Sequence, residues 1–240
     1  MKKYLLPLIL LLVIGAILLK SNSLKNTPNW GDGTDAFYKE LIASKGDFAE
    51  NADEAVFDNQ VVRSITKEET ENILAQAQNI QKQVLGLHTV YDGAEKWIEV
   101  DLSDLKLYAW EGKSKVYEFS VSTGRPGYET PTGEFRVWRK VLSQRYKGGI
   151  FGTSSYYNLP NVPYSLFFGG ENVPNWKGFA IHGAYWHNDF GVKNRSSGCV
   201  NLKPEEVGLL YNWAGPTIPA GANALTATED NPGTKVVIHD

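Results

Sequence analysis

The chain has 240 residues, 27 acidic and 24 basic, and a formal net charge of −3 with both signs mixed along its length. That leaves no polybasic face and no acidic tail, so nucleic acid is excluded as an expected partner. Cys199 is the single cysteine, so no disulfide can form within the monomer and the fold has to hold by core packing.

The chain opens MKKYLLPLILLLVIGAILLK: Lys2 and Lys3, an apolar run of sixteen residues over 4–19, then Lys20. That length lies between a signal-peptide core and a full membrane span of about 20 residues. No cysteine follows to carry a lipid, and Ser21-Asn22-Ser23 makes a weak cleavage site. The expectation is an N-terminal membrane anchor over 1–20, with a removed signal peptide as the alternative. Either way the lysines stay on the cytoplasmic side and the rest is exported.

Residues 21–95 read as a spacer. Up to residue 64 it is a polar connector with one short helix at 35–43. A clearer helix follows at 67–85: Thr66 and Glu69 have the spacing of a capping box, Ile73, Ala77, Ile80 and Val84 share one stripe, and Gly86 supplies the stop. The narrow stripe suits a stalk or packing helix.

From residue 96 the period changes to two. In KWIEVDLSDLKLYAWEGKSKVYEFSVSTG, Ile98, Val100 and Leu102 alternate with Trp97, Glu99 and Asp101, and Leu105, Leu107 and Ala109 with Lys106, Tyr108 and Trp110. Turn-like residues at 103–106 and 111–114 divide this into three short antiparallel strands. GRPGYETPTG breaks the pattern before a further strand, EFRVWRKV. The aromatic, glycine-punctuated stretch from Tyr146 to Gly178 is expected to hold no long regular element. PEEVGLLYNWA reads as a helix with Pro204 in its first turn and Glu205 and Glu206 near its positive end, and GTKVVIHD as a closing β-branched strand. The sum is a mainly β domain over 96–240 with a helix after the cysteine.

A free thiol is mostly protonated at neutral pH, so a nucleophilic Cys199 needs a base beside it. Of the four histidines, His182 follows the strand-like Phe179-Ala180-Ile181 and lies 17 residues before Cys199, far enough for a loop to bring the two together. His187 sits within that loop as a loop or pocket residue, while His88 and His239 lie at element edges. Gly198 lets the backbone approach a substrate, so its N–H and that of Cys199 could converge on an oxyanion. Ser196 and Ser197 can hold the turn through side-chain to backbone hydrogen bonds. Two plainer readings compete: a cysteine buried as a small hydrophobe, and a zinc site of His182, His187 and Cys199, which lacks the short paired ligand spacing of such sites.

Taken together, KWIEVDLSDLKLYAWEGKSKVYEFSVSTG, TPTGEFRVWRK, IHGAYWHNDFG, SSGCVNL and TKVVIHD resemble, in that order over 96–239, the L,D-transpeptidase catalytic domain of the YkuD type. The resemblance implies a β-sandwich or barrel-like fold and a cysteine enzyme that cross-links peptidoglycan stem peptides without metal or cofactor. It casts Cys199 as nucleophile, His182 as base and the Gly183 carbonyl as the group orienting the imidazole. Gly198 then joins Cys199 in the oxyanion hole, and Ser196 opens the cysteine motif. Tyr185, Trp186, His187, Ser197, Asn201, Tyr164 and Phe167 are its expected substrate contacts, with Tyr164, Phe167 and Phe168 on a lid over 151–178. Ser197 departs from the family, which usually has a histidine there. Water in place of the acceptor amine would make a carboxypeptidase, and a decayed site would leave a cell-wall binding module.

Overall fold

Alternation organises the middle of the chain. In the computed structural model, which describes residues 34–84 and 93–240, Ile98, Val100, Leu107 and Ala109 are fully buried. They meet across β3 (Lys96–Asp101) and β4 (Lys106–Glu111) in the register Ile98↔Ala109 and Val100↔Leu107. On the other face Trp97 and Trp110 stack at 5.6 Å. β5 (Ser114–Ser120) continues the meander. The closing strand β11 (Lys235–His239) lies between β3, which it pairs in parallel, and β6 (Gly133–Gly148), which it pairs antiparallel, so the two ends of the domain over 96–240 meet at the sheet centre.

The stretch expected to hold no long element instead carries β7 (Tyr157–Gly169), thirteen residues long and paired along β6. Its prolines are accommodated by irregularity. Gln144 pairs with Val162 and Tyr146 with Leu159, which leaves Pro160 and Asn161 in a bulge, Asn161 at φ 56°. The glycines that suggested a broken region sit at the hairpin tip and at the strand end.

The chain before residue 95 is more than a connector. A helix α1 (Thr34–Ala43) stands where one was expected and buries Leu41 completely. A hairpin of β1 (Glu54–Phe57) and β2 (Gln60–Arg63), not foreseen, adds to the sheet through Val56↔Asn158. The capping box of α2 (Lys67–Val84) forms: Glu69 N–H donates to Thr66 Oγ1 at 3.2 Å and Thr66 N–H to Glu69 Oε2 at 3.0 Å. The apolar run at 4–19, the connector before residue 34, Gly86 and His88 lie outside the described residues. Among the described residues no helix is long and apolar enough to cross a membrane.

Strand pairing runs β2-β1-β7-β6-β11-β3-β4-β5, an open path. Two branches leave it. β10 (Ala224–Thr226) pairs with β6, and β8 (Ala180–Gly183) pairs with β7 and, in parallel, with β9 (Val200–Leu202). The helix α3 (Pro204–Trp213) begins with Pro204 at its first turn as expected and packs on β7 and β8, with α2 against it. One buried cation fixes its end. Lys140 Nζ donates to the carbonyls of Tyr211, Ala214 and Pro216 at 2.5, 2.7 and 3.0 Å. Burial lowers the Lys140 pKa to about 8, so the group is still charged at pH 7.

Lys140→Met fills the same space and strands three carbonyls. It is expected to cost about 2–4 kcal/mol in urea unfolding, and an unchanged midpoint would show that the helix end is held by packing alone.

Candidate active site

Parallel pairing of β8 with β9 brings the chemistry together. Ile181 pairs with Val200 and His182 with Asn201, so alternation puts residues 180 and 182 of one strand and 199 and 201 of the other on one face. The Ala180 N–H lies close enough to the sulfur to act on its titration. Tyr146 packs on the base candidate: its ring centroid is 4.7 Å from that of His182, and burial raises its phenol well above the usual range, with the charge of Cys199 raising it further. The Tyr146 hydroxyl donates to Ser165 Oγ at 3.0 Å, which fixes the ring.

His182 is 4% exposed, and its Nδ1 stands 3.0 Å from the Gly183 carbonyl oxygen. A carbonyl only accepts, so the proton belongs on Nδ1 and Nε2 keeps its lone pair. Burial lowers the imidazole pKa to about 4, and burial raises the Cys199 thiol to about 11 against a smaller pull from the Ala180 N–H. An imidazolium–thiolate pair would then lie on the order of 10 kcal/mol above the neutral pair before their mutual attraction. Both the thiol and the imidazole therefore rest neutral, on one strand face. Cys199 as a whole residue is part-exposed.

Ser196 shapes the nucleophile loop. Its hydroxyl donates to the Cys199 carbonyl at 2.6 Å and accepts from the Gly198 N–H at 3.0 Å, with Gly198 at φ 113°, a conformation closed to other residues. The pairing of Gly198 and Cys199 N–H groups expected for an oxyanion is therefore absent here. The Gly198 donor is used inside the loop, and the Cys199 N–H has no partner among the described residues.

The loop from 184 to 198 is braced from β5's end. The Ser122 hydroxyl donates to the Lys193 carbonyl at 2.7 Å and accepts from the Arg195 N–H at 3.0 Å, while Thr123 holds Asn194 Oδ1 through its N–H and hydroxyl. His187 is not a second base beside the sulfur. Its Nδ1 accepts from Asp189 N–H at 3.2 Å and its Nε2 faces the Asn201 amide at 3.1 Å. A neutral ring with Nδ1 accepting carries its proton on Nε2, which requires the Asn201 oxygen toward it. Asn201, 1% exposed, is thus a buried amide between the two histidines. Among the described residues His182, His187 and Cys199 form no group able to hold a metal ion.

Tyr185 and Trp186 edge a groove of ≈ 680 Å³ whose other walls come from Val62, Ser64, Ile65, Asn72 and Ile73. The Tyr185 hydroxyl donates to the Pro160 carbonyl at 2.5 Å. Phe57 of the hairpin reaches both Trp186 and His187, at 5.9 and 6.3 Å between centroids, and Asp58 pairs with Arg195 at 3.8 Å. Residues before 95 therefore form one flank of the site.

Two expected substrate contacts lie elsewhere. Phe167 is fully buried, stacked on Tyr146 at 6.1 Å, and so props the site from behind; Tyr164, 3% exposed, packs against Tyr211 at 5.3 Å. Phe168 is 1% exposed, so none of the three belongs to a lid. The exposed parts of that region are the hairpin tip, where Phe151 is 81% exposed, and the segment around Trp176, 40% exposed. Ser197 is part-exposed in the loop. Sequence reasoning missed Tyr146, which stood in the stretch expected to hold no long regular element.

With the geometry in place, the comparisons agree. The chain belongs to the L,D-transpeptidase catalytic domain family, YkuD, whose model matches residues 95–238. Among curated relatives it is similar to YqjB of Bacillus subtilis, assigned as an L,D-transpeptidase, with 34% identity over 116 residues, 47% of this chain and 60% of that protein. It is also similar to L,D-transpeptidase 1 of Mycobacterium tuberculosis, with 30% identity over 97 residues, 38% of this chain and 36% of that protein. The chain thus spans less than two thirds of either relative. A solved L,D-transpeptidase from Mycobacterium smegmatis aligns with a TM-score of 0.49 at 20% identity, covering 62% of this chain and 60% of that one.

Proposed function

We propose that this protein cross-links peptidoglycan stem peptides through a thioester on Cys199, working outside the cell and held at the membrane by residues 4–19. The observation that supports it most is the pair on one strand face: His182, its tautomer set by the Gly183 carbonyl, and Cys199, a part-exposed residue.

At a pKa of about 11 only about one thiol in 10⁴ is ionised at pH 7, so deprotonation in advance contributes little. The proton instead moves to His182 Nε2 as sulfur attacks the carbonyl of the third residue of a donor tetrapeptide. The Cys199 N–H, without another partner among the described residues, receives the developing oxyanion. Collapse breaks the carbon–nitrogen bond, His182 returns the proton to the leaving amine, and the terminal D-amino acid departs. A side-chain amine of a second stem then attacks the thioester, loses a proton to His182 and restores the thiol. Ser196 and Phe167 do not touch substrate in this scheme; they set the loop and the wall behind it.

The test is product mass analysis of purified protein with a tetrapeptide donor, with and without an acceptor amine. The reading expects cross-linked dimer when acceptor is present. Shortened donor alone under both conditions would assign a carboxypeptidase, and an unreacted donor with an unlabelled thiol would assign a binding module.

A further inference from the structure

The turn between β5 and β6 delivers a cation to the cysteine loop. Arg125-Pro126-Gly127-Tyr128 is closed by the Tyr128 N–H donating to the Arg125 carbonyl at 2.8 Å, with Gly127 at φ 82°, the type II pattern of proline then glycine. The turn is fastened to the nucleophile segment. Gly124 bridges Ser196, the Arg125 N–H donates to the Ser196 carbonyl at 3.0 Å, and Arg125 Nη1 reaches the Arg195 carbonyl at 3.5 Å. Ser196 in turn donates to the Cys199 carbonyl, so only one residue separates the Arg125 backbone from that of the nucleophile.

The guanidinium lies over the Tyr128 ring at 4.5 Å and is part-exposed. Among the described residues no carboxylate pairs with it. Glu129 on the same turn accepts instead from the Gly127 N–H at 2.6 Å, and the nearby Asp189 and Asp58 both pair with Arg195. The phenol of half-buried Tyr157 is raised chiefly by burial, further by the charge of Cys199, and is lowered by that of Arg125.

We propose that Arg125 binds the terminal carboxylate of the donor peptide, on the residue that leaves; this rests on the acyl-transfer reading above. In a tetrapeptide that carboxylate carbon stands three bonds from the carbonyl carbon under attack, at most about 4 Å away, so its recognising cation has to sit at the rim of the nucleophile. A guanidinium matches a carboxylate with two parallel N–H···O bonds. A donor one residue longer would offer a neutral amide at that place and leave the cation unpaired. Arg125 thereby selects donors with one residue beyond the bond that breaks.

The experiment compares a tetrapeptide donor ending in a free carboxylate with the same peptide ending in an amide, on the wild type, Arg125→Gln and Arg125→Lys, following release of the last residue. The wild type is expected to favour the carboxylate about 10- to 100-fold in kcat/KM, Arg125→Gln to lose that preference chiefly through KM, and Arg125→Lys to keep part of it. Alkylation of Cys199 by neutral iodoacetamide should proceed alike in all three, which checks the fold. An active Arg125→Gln that retains the preference, or loses activity equally on both peptides, overturns the role of Arg125 alone. A wild type that releases nothing from either peptide overturns the acyl-transfer reading, and this inference with it.

Discussion

Cys199→Ala is expected to abolish both dimer formation and release of the donor's last residue, leaving no rate above the uncatalysed background. The chain has no other sulfur nucleophile, because Cys199 is its only cysteine. Alanine also removes little volume from a part-open position against the core cluster, so urea stability should change by less than about 1.5 kcal/mol. Loss of activity with retained fold separates a nucleophile from a structural thiol. Cys199→Ser makes a stricter test: a hydroxyl of higher pKa fits the same space, and it should be inactive to within assay limits. Dimer yield unchanged in either variant would remove Cys199 from the chemistry.

His182→Gln should lower kcat/KM about 10²- to 10⁴-fold, the span of a positioned general base. The pH dependence carries a finer expectation. With the imidazole lowered to about 4, the base is free at all pH values above that, so the acid limb of the profile should fall near 4 and not near the ordinary histidine value of about 6.5. The same shift has a stability consequence. Between about pH 6.5 and 4 the unfolded chain binds a proton at this position and the native state does not, so stability rises with pH across the window and declines as pH falls through it. An acid limb near 6.5 would mean that the imidazole is wet and that the dry neutral pair is wrong.

Much of this was legible in the sequence where physics is local. Period-two alternation from Lys96 gave three strands because each presents one face to the core, and Thr66 and Glu69 announced a helix start through two reciprocal hydrogen bonds. Cys199 and His182 were paired in expectation because acyl transfer constrains residue types, and the register of β8 with β9 puts both positions on one face. What was illegible depended on distant partners. β7 carries two prolines and reads as broken; it is a strand because β6 pairs along it and a bulge takes up Pro160. Tyr164 and Phe167 were read as a lid on composition alone, while burial in that strand makes them core. The β1–β2 hairpin is too short to declare itself and exists through its pairing with β7. The Gly198 N–H was assigned to substrate because nothing in SSGCVNL reveals that the Ser196 hydroxyl claims it first.

That last point reshapes the site. With Gly198 engaged, the proposed oxyanion binding is left to the Cys199 N–H, and Asn201, whose buried amide faces His187, is a further polar group on the same strand. The departure at Ser197 does not touch the proposed base, since the residue that shares the strand face with Cys199 is His182.

The most direct test of the central claim is intact mass after exposure to a carbapenem at neutral pH, for the wild type and His182→Gln. A single cysteine makes the assignment unambiguous. The account predicts one stoichiometric adduct, mapped to the peptide holding Cys199, formed quickly by the wild type and at least about 10²-fold more slowly by His182→Gln. No adduct on the wild type, or equal rates for the two proteins, would contradict it.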